Sequence, residues 1–278
     1  MIVDTHTHLP PDSFFPAGLG QGPDGFLALC DAHGIDVAWV FTTAGLSDPD
    51  PRHNDVVREF CAAAPDRLVP FCTVFPHLPG AVDELHRAVE EGGARGLKLH
   101  PWLQGFSPLD PRMDDLGTAL DALGIPVVFH DGTPPNSSPL QIAAFAERHP
   151  GVPVILGHGG LHDLWVEALA ALQRVDNLWV SPSGMPPSGL RRLVDQAGTS
   201  RLLFGSDAGF GDPHWQAFQL RKIRDLRLPP EAELAVLGGN ARLLVQHQPE
   251  HQSEPVGGPP PARAGSFREA GQRDRGKT

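Results

Sequence analysis

Eight short runs rich in Val, Ile, Leu and Phe recur at intervals of roughly 25–35 residues, and this cadence limits the folds open to the chain. They fall at 2–8 (IVDTHTH), 36–43 (DVAWVFTT), 68–74 (LVPFCTV), 94–100 (ARGLKLH), 126–130 (PVVFH), 153–158 (PVILGH), 177–181 (NLWVS) and 201–206 (RLLFGS). Several are almost unbroken apolar strings, as expected of parallel strands covered by helices. The intervals carry helix-like patterns at 80–92, 139–149 and 161–174. QIAAFAERH spaces its apolar residues as a helix does and stops just before Pro150, and EALAALQRV does the same before the next run. Eight βα units predict an α/β protein, a (β/α)8 TIM barrel forming a single domain over 1–245. An open doubly wound sheet accounts for eight units less well, and no GxGxxG follows the first strand.

From 246 the composition shifts. Residues 246–278 are rich in Pro, Gly and charge and almost devoid of large apolar side chains. Such a segment cannot bury enough surface to offset its ordering entropy, which predicts a disordered tail. The whole chain carries a net charge of −11 without a cluster of Lys and Arg, which argues against nucleic acid or an anionic membrane as partner. No apolar run approaches the ~20 residues needed to span a bilayer. The opening MIVDTHTHLP lacks the basic and apolar regions of a secretory signal. The 3 cysteines, Cys30, Cys61 and Cys72, form no CxxC pair, so neither a disulfide framework nor a thiolate zinc site is indicated. The expectation is a soluble cytoplasmic protein acting on a small molecule.

The chemistry concentrates in Asp4-Thr5-His6-Thr7-His8. Side chains two apart share a strand face, so His6 and His8 point together into the barrel, where paired imidazoles suit capture of a divalent metal. Asp4 shares that face one step deeper and could hold a ligand histidine in its tautomer. His130 closes the fifth run, His158 closes the sixth, and Asp207 follows the eighth in LLFGSDAG. In a barrel all these positions gather at the catalytic face. A lone histidine at a strand end is commonly structural and a lone aspartate there is commonly a helix cap. Polar residues reaching one rim from four strands are harder to explain separately than as one metal site. Lys98 and His100 project inward from the fourth strand, and Trp102 lies just beyond it, so these three are candidates for supporting the site or contacting substrate. No GxSxG elbow occurs and Cys72 lacks an obvious base, which disfavours covalent catalysis.

Taken with G-L-K-L-H-P at 96–101, H-D-G at 130–132, G-H-G-G at 157–160, F-G-S-D at 204–207 and G-G-N-A at 238–241, these residues resemble the amidohydrolase superfamily. The likeness is to its amidohydrolase-related (amidohydrolase 2) branch of metal-dependent hydrolases and decarboxylases, and it covers nearly all of 1–245. It implies that His6, His8, His130 and Asp207 bind one divalent metal and that His158 stands beside it as acid/base. Some superfamily members carry a carboxylated lysine on the fourth strand bridging two metals, so Lys98 leaves a dinuclear site open, although this branch usually has one. The ligand set favours Zn2+, with Mn2+ or Fe2+ also suitable. A homodimer is compatible with the likeness. Asn240 in GGNA is expected to anchor the last helix against the barrel.

A divalent ion with an open position can lower the pKa of bound water towards about 7. Asp207 would then take the proton and His158 would polarise a substrate carbonyl. The loops after the strands offer only Arg52 and Arg112 as cations. That scarcity points to a neutral substrate and hence to hydrolysis of an amide, ester or lactone. The alternatives are decarboxylation by the same metal set and a non-catalytic binding barrel. Phe14, Phe15, Trp102, Phe106, Trp165, Met185 and Phe210 could line a substrate pocket.

Overall fold

The apolar runs form the staves of a closed barrel in a computed structural model, which describes residues 1–9, 22–209 and 213–245. The expected tail and the loop aromatics Phe14, Phe15 and Phe210 lie outside the described residues. Seven runs are parallel strands: β1 (Val3–His8), β2 (Val37–Phe41), β3 (Leu68–Pro70), β4 (Leu97–Leu99), β5 (Val127–Phe129), β6 (Val154–Leu156) and β7 (Leu178–Val180). Between and after them lie helices α1 (Gly22–His33), α2 (Arg52–Cys61), α3 (Ala81–Glu90), α4 (Pro101–Gln104), α5 (Met113–Leu123) and α6 (Pro139–Arg148). Then come α7 (Trp165–Arg174), α8 (Pro187–Ala197), α9 (Pro213–Arg224), α10 (Pro230–Leu234) and α11 (Asn240–Val245).

Regular pairing gives two sheets, β1-β2-β3 and β4-β5-β6-β7, and single bridges join them. Cys72 bridges Leu97 between β3 and β4, with Cys72 N donating to Gly96 O (3.0 Å) and Lys98 N to Cys72 O (2.8 Å). The eighth run, expected as a strand over 201–206, closes the barrel without forming a regular ladder. It gives its hydrogen bonds alternately to its two neighbours: Leu203 N donates to Val180 O (2.8 Å) and Thr5 N donates to Phe204 O (2.9 Å). Asp207, in the left-handed region at φ 63°, then breaks the pleat. The circuit of eight parallel staves is therefore complete, as a (β/α)8 barrel requires.

Strand parity sorts the core. Ala38, Val40, Leu97, Leu99, Val127 and Phe129 pack outward into one large cluster with the helices. Trp39, Phe41, Phe71, Val128, Ile155 and Leu203 form a second cluster inside the barrel, joined by Ala241 and Leu244 of α11. Trp39 stacks on Phe71 at 4.7 Å between ring centroids. Asn240 ties α11 to the last stave as expected, its Nδ2 donating to Thr199 O and Leu202 O, both at 2.8 Å. Helix α6 starts at a capping box between Ser138 and Gln141 with Pro139 at the first turn, a device worth roughly 1 kcal/mol. The helix expected from 161 begins only at Trp165, because Gly159, Gly160 and Leu161 all take left-handed φ values of 65°, 84° and 53°. The 3 cysteines are free and buried, and no described helix is long and apolar enough to cross a membrane.

Candidate metal centre

Barrel closure brings the ends of β1 and of the eighth stave together. Asp207 N donates to His6 O (2.8 Å) and His8 N donates to Ala208 O (2.7 Å). This places Asp207 Oδ1 3.4 Å from His6 Nε2 and 3.2 Å from His8 Nε2. Each of the three residues offers a ligand atom within 4.8 Å of the other two. The imidazoles are buried, at 0% and 5% side-chain exposure, whereas Asp207 keeps 28%, so the group opens outward on the carboxylate side.

His6 is held by its neighbours. Its Nδ1 donates to Gly157 O (2.8 Å) and its Nε2 accepts from Lys98 Nζ (3.1 Å). Gly157 allows this approach, since a Cβ there would lie 2.8 Å from His6 Cε1. Gly205 does the same on the other side, where a Cβ would lie 2.9 Å from His6 Cβ. Asp4 does not hold an imidazole, contrary to expectation. A register shift between Asp4 and Thr7 turns its carboxylate to the eighth stave, where it accepts from Ser206 Oγ (2.5 Å) and Ser206 N (2.9 Å). Its contact with His6 is to the backbone N–H at 3.2 Å.

The electrostatics suit a cation ligand set. Burial lowers the His6 imidazole well below its ordinary value, with Lys98 adding to the effect, and burial also lowers His8. Both rings are thus neutral with a lone pair to give. Burial works to raise the Asp207 carboxyl, but the imidazoles of His158, His8 and His6 outweigh it and hold it well below the usual carboxylate range. Two neutral imidazoles and one ionised carboxylate fit a divalent ion.

His130 stands outside that three-residue group. Its ring stacks on His100 at 3.7 Å, its Nδ1 lies 2.8 Å from His158 Nε2, and its Nε2 lies 2.8 Å from Thr133 Oγ1. His158 packs on His6 at 4.7 Å between centroids and reaches Ser183 Oγ through Nδ1 at 2.9 Å. Burial pushes His158 down to about 4 and His100 down to about 3. His100 also caps α4, its Nδ1 accepting from Leu103 N at 3.3 Å. Trp102, on α4, is 54% exposed with its ring 6.3 Å from that of His100. Phe106 and Met185, two of the suggested pocket residues, are instead buried in the core.

Three functional neighbours escaped the sequence. Asp131 is fully buried and accepts from His158 N (2.6 Å) and Gly160 N (2.5 Å), fixing the loop after β6; its position beside His130 was the available signal. Ser183 sits in the loop after β7, where the sequence singles out only Met185. Lys222 lies on α9, and nothing in its local pattern marks it. Lys98 is expected from the sequence to support the site or contact substrate, with a metal-bridging role left open. It is a buried ammonium on the barrel floor, 5.1 Å from the centre of the Phe41 ring, and burial lowers it to about 8.

Fold and donor group together define a class, the (β/α)8 barrels that hold a metal at the mouth formed by the C-terminal ends of their strands. The amidohydrolase family profile matches residues 3–246, and the chain belongs to that family. It is similar to the gamma-resorcylate decarboxylase of Rhodococcus jostii (strain RHA1), 29% identical over 185 residues, which are 52% of this chain and 54% of that protein. The chain spans 54–64% of the length of the curated relatives it matches. Among solved structures it resembles 2,6-dihydroxybenzoate decarboxylase from Rhizobium, with a TM-score of 0.67, 22% identity, and coverage of 88% of this chain and 98% of that one. It also resembles a dihydroxybenzoic acid decarboxylase from Polaromonas sp. JS666 with bound manganese and 2-nitroresorcinol, with a TM-score of 0.66, 17% identity, and coverage of 88% and 96%.

Proposed function

We propose that the protein is a metal-dependent carboxy-lyase that removes carbon dioxide from a small aromatic hydroxy acid. The observation that carries this reading is that the curated relatives it matches are gamma-resorcylate decarboxylases, at 28–29% identity. The site supports it. Hydrolysis was the first expectation because the loops are poor in cations, and that ground weakens once Lys98 is seen as a buried ammonium against His6. A carboxylate substrate entering the mouth meets positive charge from the floor.

His6, His8 and Asp207 would hold the ion, with His130, implied as the fourth ligand by family likeness, one imidazole away through His158. When bound, a divalent ion supplies a Lewis acid for the substrate's carboxylate and adjoining hydroxyl. Zinc suits the donors, and the manganese of the Polaromonas neighbour makes that metal an equal candidate. One metal is the reading adopted, as the branch of the family that the sequence resembles usually holds one. Asp207 is ionised and part-exposed, so it can accept a proton from the substrate hydroxyl or water and return it to the ring carbon. As the carbon–carboxylate bond breaks, its electron pair stays on that carbon and takes the proton, and carbon dioxide leaves uncharged. Neutral His158, packed on His6 at 4.7 Å between ring centroids, would be the orienting group. Trp102 offers an exposed ring face to an aromatic body. The buried free thiols suit a reducing, cytoplasmic setting.

The test is carbon dioxide release from a panel of mono- and dihydroxybenzoates, including 2,6-dihydroxybenzoate, run beside matching esters and amides. Release that disappears with chelator and in Asp207→Asn supports the reading. Ester or amide hydrolysis without any carbon dioxide overturns it in favour of a hydrolase.

A further inference from the structure

The hydrogen bonds around the clustered imidazoles admit one consistent direction. The Gly157 carbonyl can only accept, and it accepts from His6 Nδ1 (2.8 Å) and Ser183 Oγ (3.1 Å). His6 therefore carries its proton on Nδ1. Ser183 has one proton, and only by giving it to Gly157 O, so that its oxygen accepts from His158 Nδ1 at 2.9 Å, are both of its contacts satisfied. That leaves His158 Nε2 as a lone pair. Across 2.8 Å from it lies His130 Nδ1, which must be the donor. His130 Nε2 is in turn a lone pair, taking the Thr133 hydroxyl proton at 2.8 Å. A single backbone carbonyl thus fixes three imidazoles, one directly and two through a serine.

The serine is itself held. Its loop, between β7 and α8, wraps around the end of Lys222 from α9. Lys222 Nζ donates to Pro182 O (2.8 Å), Met185 O (2.8 Å) and Ser183 O (3.4 Å). An ammonium has three protons, and here three carbonyls receive them. Lys222 is only 6% exposed and Ser183 only 2%, so water does not readily substitute for either. The loop packs closely on the far side as well, where a Cβ on Gly184 would lie 2.2 Å from Leu161 Cδ2.

We propose that Ser183 is a positioning residue that sets the tautomers of His158 and His130, with Lys222 clamping the loop that presents it. The consequence is chemical. Both His6 and His130 are left with Nε2 unprotonated, the form a metal ligand requires, each lone pair meeting a donor that an ion would displace, Lys98 Nζ and the Thr133 hydroxyl. In the opposite tautomer His130 would present an N–H at that nitrogen instead. The two rings are obliged to switch together, because two N–H groups cannot face each other across 2.8 Å. This assignment rests on the histidines being the working site, and it holds for any reaction performed there.

The test is long-range 1H–15N correlation spectroscopy on histidine-labelled, full-length protein near neutral pH, zinc-loaded and again after chelation. His6, His130 and His158 are expected to be Nδ1–H in the wild type. In Ser183→Ala, His158 and His130 move together towards Nε2–H while His6 keeps Nδ1–H. Ser183→Thr retains a hydroxyl and restores the wild-type pattern, and Lys222→Met gives a partial shift of the same two rings. Zinc affinity by chelator competition falls about tenfold in Ser183→Ala, the low end of what supporting groups contribute. A merely structural serine would lower stability without moving either tautomer. An Nε2–H signal on His158 in the wild type overturns the proposal, as does a Ser183→Ala protein with both rings unchanged. The wild-type spectrum decides even if Ser183→Ala fails to fold. A protein that shows these tautomers yet releases no carbon dioxide loses only the proposed reaction.

Discussion

Gly157→Ala tests how the first ligand is placed. The new Cβ would lie 2.7 Å from Phe129 O, 2.8 Å from His6 Cε1 and 3.2 Å from His6 Nδ1. Carbon atoms settle at roughly 3.5–4.0 Å, so the imidazole must retreat by roughly 0.7–1.2 Å. It has nowhere to go. His6 is fully buried, with the rings of His158, His8 and Phe41 centred 4.7, 5.2 and 5.3 Å away. Phe129 O cannot yield cheaply either, since it belongs to β5 and accepts from Gly157 N at 2.8 Å. Overpacking of this kind costs about 1–3 kcal/mol. At about 2–4 °C per kcal/mol for a domain of this size, Tm should fall by roughly 2–12 °C. The displaced Nε2 also leaves its place beside Asp207, and zinc affinity should drop about 10–100-fold. Thermal melts of chelated protein and chelator competition measure the two effects. Gly239→Ala is the control, because its Cβ would meet nothing closer than 3.5 Å. Wild-type Tm and wild-type affinity in Gly157→Ala would show that this close approach does not position His6.

Other outcomes follow from the same contacts. Asn240→Ala leaves Leu202 O without its side-chain donor, while Thr199 O keeps Leu202 N at 3.2 Å, and should cost about 1–3 kcal/mol in urea unfolding, with the m-value unchanged. A loss below about 0.5 kcal/mol would mean that Asn240 is no anchor. Burial lowers Lys222 from 10.5 to about 8, so between those values the unfolded chain holds a proton the native chain has released. Stability should therefore rise with pH across that window, by at most about 3 kcal/mol, and the slope should vanish in Lys222→Met. A variant with the wild-type slope would move the titration to another group. Metal analysis after purification without chelator should give one equivalent per chain in the wild type and in Lys98→Met, and none in His6→Ala. Two equivalents lost together in Lys98→Met would establish a dinuclear centre.

Strand parity made much of this site readable. His6 and His8 share a face two residues apart, and the structure keeps them together. Asp207 could be placed because the eighth run ends beside it. Parity failed at Asp4, where a bulge that no local residue announces rotates the side chain towards Ser206. It also failed to order the rim: His130 and His158 both follow strands, yet they meet each other at 2.8 Å and His158 meets the distant Ser183 through its other nitrogen. The cation was sought in loops because substrates enter there, while the relevant ammonium, Lys98, rises from the barrel floor. Lys222 could not be found locally, since its partners lie 37–40 residues earlier in the chain. The eighth stave was legible in composition but not in form, as its pairing alternates between two neighbours.

The seam between β1 and the last stave joins residues about 200 positions apart, as in the Thr5 hydroxyl donating to Phe204 O across 199 residues. Closing a loop that long costs roughly 4–5 kcal/mol of chain entropy. An ion gripped by His6, His8 and Asp207 would straddle the same seam, acting as a clasp on the wrapped cylinder. During synthesis such a clasp could not fasten until the final stave had emerged. Metal uptake would then mark the moment the barrel becomes whole, and stripping the ion should loosen that edge before any other.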